Sequence, residues 1–163
     1  MAEISTVGVV GCGLMGHGIA QVAAEAGYQV VVREVDEPTL AKGVGRIEKQ
    51  LARAVERGKR DEADADAVRR RLAGTTEYGD LGRCDLVIEA MTEDLEGKLA
   101  MWREVDAVAA REAIFATNTS SLPVIAQAAV TSRADRFLGL HFFNPPQIMK
   151  LLEVVRAPDI HRR

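Results

Sequence analysis

The run GCGLMGHG at residues 11–18 constrains this chain more than any other stretch. It follows the apolar residues Val7-Gly8-Val9-Val10 and precedes a helical pattern. Gly11, Gly13 and Gly16 form G-x-G-x-x-G in the strand–turn–helix setting that the dinucleotide-binding fingerprint requires. Gly11 permits the tight turn, Gly13 lets the backbone approach a pyrophosphate, and Gly16 lets helix and strand pack closely. The helix N-terminus then offers free N–H groups and a positive dipole end to phosphates. Cys12, Leu14 and Met15 complete the loop and are expected to touch the same ligand. Each glycine inside a helix costs about 1 kcal/mol against alanine, so Gly16 and Gly18 need a reason. Taken alone, the glycines are equally compatible with a turn that binds nothing.

The next strand, Gln29-Val30-Val31-Val32-Arg33-Glu34, strengthens the ligand reading. Glu34 lies 18 residues after Gly16 (34 − 16), near the spacing of about 20 for a ribose-binding acid. A carboxylate there accepts hydrogen bonds from ribose hydroxyls and repels a 2′-phosphate, which favours NAD over NADP. Arg33 could instead accommodate that phosphate, but neighbouring strand residues point to opposite faces. Asp36, before Pro38, reads as a helix cap.

Length and charge narrow the class. The chain has 163 residues, enough for one domain with a real core. A net charge of −3 gives no reason to expect nucleic acid. No apolar run is long enough to span a membrane, and Glu3 without a basic start argues against a signal peptide. Cys12 and Cys84 lack metal-ligand spacing, so no metal is expected. They read as free thiols in a reducing cytoplasm.

Short apolar runs alternate with helical patterns. The expected strands are 4–10, 28–34, 85–89, 113–117 and 136–142, with a further extended run near 149–155. Consecutive apolar positions at 7–10, 30–32 and 86–88 suggest strands buried on both faces, as in a parallel sheet. Leu14, Met15, Ile19, Val22, Ala23 and Ala26 mark one helix face. Leu95, Leu99, Trp102, Val105 and Val108 mark another over 94–110. The pattern predicts an α/β doubly wound, mostly parallel sheet. Residues 38–73 break the alternation. Leu40, Val44, Ile47, Leu51 and Val55 predict a helix closed by Gly58, and Asp61 caps a second that Gly74 ends. The expectation is an inserted antiparallel helical hairpin. Lys49, Arg53, Arg57, Lys59 and Arg60 on it read, by charge alone, as a solvated face.

A second constellation closes the chain. Gly139-Leu140-His141-Phe142-Phe143-Asn144-Pro145-Pro146 ends a strand with a histidine and then turns sharply. Ligands bind beyond the carboxyl ends of strands in such sheets. Asn118-Thr119-Ser120-Ser121 follows another strand and reaches the same edge. Glu153, 12 residues past His141 (153 − 141), sits on a segment able to return beside it. A carboxylate that fixes the tautomer of a histidine makes a general-base pair. The plainer alternative is a capped strand end with turn chemistry at Asn144 and the prolines.

GCGLMGHGIAQVAAEAGYQVVV, DLVIEAMTEDLEGK, NTSS and HFFNPP…LLEVV, in this order, resemble the NAD-binding domain of the L-3-hydroxyacyl-CoA dehydrogenase family. The resemblance spans nearly the whole chain and implies a Rossmann-type domain over 1–163. It implies reversible, NAD-dependent oxidation of an L-3-hydroxyacyl-CoA, such as 3-hydroxybutyryl-CoA, to the 3-ketoacyl-CoA. By position, His141 would take the hydroxyl proton, Glu153 would pair with it, and Ser120 would bond the substrate oxygen near the nicotinamide. Glu34 matches the ribose-binding acid, while Glu93, Lys98, Ser120 and Asn144 match cofactor-contacting positions. The hairpin matches a CoA-contacting insertion. Arg57 stands where a lysine often meets CoA phosphates, and Gln50 where a serine can do so. Family members continue into an all-helical C-terminal domain that supplies a catalytic asparagine. This chain stops at Arg163, after Asp159-Ile160-His161-Arg162-Arg163, which reads unlike the start of such a domain. The expectation is a truncated or split enzyme with exposed apolar surface, completed by a helical domain or self-associating. Two other readings stay open. One is a non-catalytic NAD-binding remnant needing a partner chain. The other is a related dehydrogenase of sugar acids or acyl-carrier-protein thioesters.

Overall fold

Three strands with apolar cores, Val7–Val10, Val30–Val32 and Leu86–Ile88, form the centre of the sheet, and everything else is arranged around them. The computed structural model describes residues 3–156. β1 (Thr6–Val10) lies between β2 (Gln29–Arg33) and β4 (Leu86–Glu89), parallel to both. β3 (Leu72–Thr75) extends the sheet beyond β2, and β5 (Ile114–Thr117) and β6 (Phe137–Phe142) extend it beyond β4, all parallel. β7 (Leu152–Arg156) returns antiparallel to β6. The order is β3-β2-β1-β4-β5-β6-β7, so the winding reverses between β1 and β4. That is where a doubly wound sheet opens a crevice at its carboxyl edge. The expected fold class is the one observed.

Each face of the sheet has its own core. One joins Val7, Val9, Val30 and Val32 to α1 (Gly16–Glu25), α2 (Glu37–Glu56) and α3 (Glu62–Arg71) through Ile19, Ile47, Leu51 and Val68. The other joins Val10, Val31, Val87 and Phe115 to α4 (Leu95–Val108) through Met101, Trp102 and Val105. Trp102 stacks on Phe115 at 4.9 Å and meets Phe137 edge-on at 4.8 Å. Each such pair adds about 1 kcal/mol beyond its buried area. The indole N–H donates to Gln127 Oε1 on the short α5 (Val124–Ala128).

The caps behave as their residues dictate. Asp36 accepts from Thr39 N at 2.7 Å with Pro38 in the first turn, and Asp61 accepts from Asp64 N at 2.7 Å. Thus α2 and α3 form the inserted hairpin.

Several expectations need correction. The second hairpin helix does not run to Gly74; it stops at Arg71, and 72–75 is β3. Leu72 sits opposite Val30, and Gly74 is small because Leu40 Cδ2 would lie 3.0 Å from any Cβ there. The extended run near 149–155 begins instead at Leu152. Ile148 N and Met149 N both donate to Pro145 O, so a turn occupies its start. Leu14 and Val108, placed on helix faces by spacing, are 67% and 38% exposed. Leu14 precedes the helix, and Val108 ends one. Residues 159–163, which read as unlike the start of a helical domain, lie outside the described residues.

Candidate functional site

Backbone and burial explain the glycine loop position by position. Gly11 has φ +93°, a conformation open to glycine at little cost. A Cβ at Gly16 would stand 1.8 Å from Gly11 O, so helix and turn touch directly. A Cβ at Gly13 would meet nothing within 4 Å. The loop therefore presents bare backbone to open space at that point. Cys12 does not border the crevice and meets Glu34 only through its backbone N–H. Its side chain is buried against Gly43 of α2, and burial pushes the thiol up to about 12.

Glu34 stands just beyond β2 and turns back onto this loop. It accepts from Cys12 N at 2.5 Å and from Val35 N at 3.0 Å. Arg33 borders the same hollow as Glu34, so strand alternation alone does not separate them. What separates them is occupation. The Arg33 guanidinium lies over the Tyr78 ring at 3.8 Å and donates to Thr76 O.

The hollow beside Glu34, about 340 Å³, shares Gly13, Ala90, Met91 and Thr92 with a second of about 450 Å³. The second is bordered by Leu14, Met15, Glu93, Ser120, His141 and Asn144. One crevice thus runs from Glu34 across the ends of β1, β4 and β5 to His141. At its far end the β6–β7 register sets His141 directly opposite Glu153. Nδ1 of His141 lies 2.8 Å from Glu153 Oε2. A carboxylate accepts only, so Nδ1 carries the proton and Nε2 keeps its lone pair. The Phe143 ring packs 4.7 Å from the imidazole, and the Asn144–Pro145 bond is cis. Phe142 N donates to Asn118 Oδ1, which ties the NTSS loop to the end of β6.

Lys98 sits one layer behind the crevice. It is 1% exposed, and its ammonium lies 2.9 Å from Glu89 Oε1 and 2.8 Å from Glu93 Oε1. Thr117 Oγ1 donates to Glu89, and Thr119 Oγ1 donates to Glu93 Oε2 at 2.5 Å. Burial opposes the charge on Glu93, but Lys98 and Thr119 outweigh it and hold that carboxyl below its ordinary range. Lys98 therefore reaches the crevice only through Glu93. Glu89, Thr117 and Thr119 escaped the sequence reading as a network. The available signal was a carboxylate ending an otherwise apolar strand, Leu86-Val87-Ile88-Glu89.

Gln50 and Arg57 lie apart from this crevice. With Arg53, Lys59 and Arg60 they line a separate cleft of about 500 Å³ between α1, α2 and the turn at Pro145. Lys49 does not join them. Arg60 is paired with Glu25 at 2.8 Å.

The crevice fits a dinucleotide. It carries a bare loop backbone at Gly13, a carboxylate at one end and an oriented imidazole at the other, at the sheet's switch point. The profile described as "3-hydroxyacyl-CoA dehydrogenase, NAD binding domain" matches residues 6–162. A probable 3-hydroxybutyryl-CoA dehydrogenase of Bacillus subtilis is 42% identical over 155 residues, covering 95% of this chain and 54% of that protein. A 3-hydroxybutyryl-CoA dehydrogenase of Mycobacterium tuberculosis is 46% identical, covering 94% and 54%. The crystal structure of (S)-3-hydroxybutyryl-CoA dehydrogenase from Ralstonia eutropha superposes with a TM-score of 0.92 at 43% identity, covering 95% and 55%. The chain thus spans about half the length of the relatives it matches.

Proposed function

The chain belongs to the family of 3-hydroxyacyl-CoA dehydrogenase NAD-binding domains, and from that premise we propose that it carries cofactor binding and proton transfer for the NAD-dependent oxidation of L-3-hydroxyacyl-CoA to 3-ketoacyl-CoA. Its 3-hydroxybutyryl-CoA-oxidising relatives make a short acyl chain the first substrate to test. The observation that carries the proposal is the His141–Glu153 pair at one end of a crevice whose other end is Glu34.

NAD, when bound, supplies the hydride acceptor. The loop from Gly11 to Gly16, with Cys12, Leu14 and Met15, would hold its pyrophosphate, and Glu34 its ribose. Glu93, Asn144 and Ser120 would flank its other end, with Lys98 acting through Glu93. His141 Nδ1–H is committed to Glu153, which leaves Nε2 to take the proton of the 3-hydroxyl and to return it in the reverse direction. Ser120, exposed on the crevice wall, would bond the substrate oxygen. The cleft holding Gln50 and Arg57 offers CoA phosphates a cationic wall and supports CoA esters over free acids. Buried, unpaired Cys12 and Cys84 support a cytoplasmic setting.

The test is NADH oxidation with acetoacetyl-CoA, compared with His141→Gln. Turnover lost in the variant, with NADH binding intact, supports the assignment; equal turnover in the variant sinks it. A second reading is favoured by one surface. Ile148, Met149, Leu151, Leu152, Val154 and Val155 are all exposed in one stretch beside the site. That surface supports completion by a helical domain or by a second copy. NADH binding without turnover, and turnover restored by an added C-terminal domain, identifies this version.

A further inference from the structure

His17 is a buried histidine in the first turn of α1, and neither the catalytic pair nor the core requires its ring nitrogens. It is 8% exposed. Its Nδ1 lies 2.7 Å from Gly13 O, and its Nε2 lies 3.2 Å from Gln50 Nε2. A carbonyl oxygen can only accept, so Nδ1 carries the proton. Nε2 is then an acceptor, and the Gln50 amide donates to it. The backbone N–H of His17 reaches the same carbonyl only at 3.4 Å, so the side chain is the stronger hold.

We propose that His17 is a positioning residue for the cofactor's pyrophosphate, acting through the Gly13–Leu14 peptide plane. In a trans peptide the C=O and the following N–H point in opposite directions. Holding Gly13 O toward the ring therefore turns the Leu14 N–H away from it. Leu14 and Gly13 both border the crevice, and no acceptor among the described residues takes that N–H. The ring thus keeps one phosphate-facing donor aimed. Without it, Gly13 O keeps only the long His17 N–H contact at 3.4 Å, and no atom within 4 Å of a Cβ position at Gly13 braces the loop there. Gln50 holds the other ring nitrogen from α2, so the hairpin braces the glycine loop as well as lining the cationic cleft.

This inference rests on the cofactor reading above, and two variants of similar polarity separate them. Asn places an amide nitrogen near the Nδ1 position, and Gln places one near Nε2. NADH is titrated by fluorescence into the wild-type chain, His17→Asn and His17→Gln, with the Leu14 amide proton resonance followed in parallel. The expected result is near wild-type affinity and the same NADH-induced Leu14 shift for His17→Asn. His17→Gln should bind about fivefold more weakly and lose the Leu14 shift. Equal affinities and shifts in the two variants overturn the assignment of His17. A wild-type chain that takes no NADH overturns the cofactor reading itself, and this inference with it.

Discussion

Glu34 and Arg33 show how much a single side chain decides here. They are adjacent, oppositely charged and border the same hollow. The Glu34 carboxylate stands against the glycine loop, where it would meet a ribose, while the Arg33 guanidinium is spent on Tyr78 and Thr76. The expected consequence is a preference for NADH over NADPH. Glu34→Ala should weaken NADH binding by about tenfold or more, the cost of losing hydrogen bonds to a charged acceptor. NADPH binding should be unchanged or tighter, because the repelling charge is gone. Parallel titrations of the two nucleotides check this; equal losses for both would assign Glu34 a structural role instead. Both glycine conformation and acid spacing were legible in the sequence. The disposal of Arg33 was not, because Tyr78 and Thr76 arrive from a segment more than 40 residues away.

At the scale of elements, the two edges of the sheet do different work. The carboxyl edge carries the crevice. The opposite edge is tied by α4 to the turn before β6. There Asp106 accepts from Ser132 N at 2.7 Å and from Arg133 Nε at 2.7 Å. Arg133 is 7% exposed, and its guanidinium covers Phe115 at 4.6 Å. Asp106→Ala should lower stability by about 3 kcal/mol, because a buried guanidinium is left without its counter-charge. NADH affinity of the folded variant should not change, since the tie is at the far edge. Chemical denaturation and nucleotide titration together test this separation. Element boundaries tell a related story. Leu72-Ala73, the first half of β3, reads as the end of the hairpin because the segment has no period of its own and follows a helix without a loop. Its pairing with β2 is what makes it a strand. α5, at five residues, is too short for any periodicity to show.

Across the whole molecule, several carboxylates are held ionised by the fold. Thr39 hydrogen bonds lower Asp36, and backbone N–H groups of Ser5 and Thr6 lower Asp85. At Asp106, burial is outweighed by Ser132 and Arg133, as it is at Glu93 by Lys98 and Thr119. Each has a folded pKa below its unfolded value. Their contribution is therefore present above the unfolded carboxylate range, near pH 4, and is lost as pH falls through the folded values. The thermal midpoint should hold steady from about pH 7 to about pH 5 and fall steeply below about pH 4. Asp85→Asn should start lower and fall less steeply on acidification. A slope identical to wild type would exclude Asp85 from the acid response.

The sequence by itself determined the sheet's nature, the glycine turn, the two capped hairpin helices and the residue types at the site. These follow from local causes: consecutive apolar runs, positive-φ turns, capping side chains and motif spacing. Tertiary structure decided which of those residues meet. The antiparallel register of β6 and β7 puts Glu153 beside His141. The packing of α4 under β4 buries Lys98 between two carboxylates and withdraws it from the crevice. The hairpin brings Gln50 onto His17 and gathers four cationic side chains beside it into one cleft. Spacing along a chain encodes periodicity and turn chemistry. Contacts between elements depend on how strands pair and layers pack, and that is a property of the folded whole.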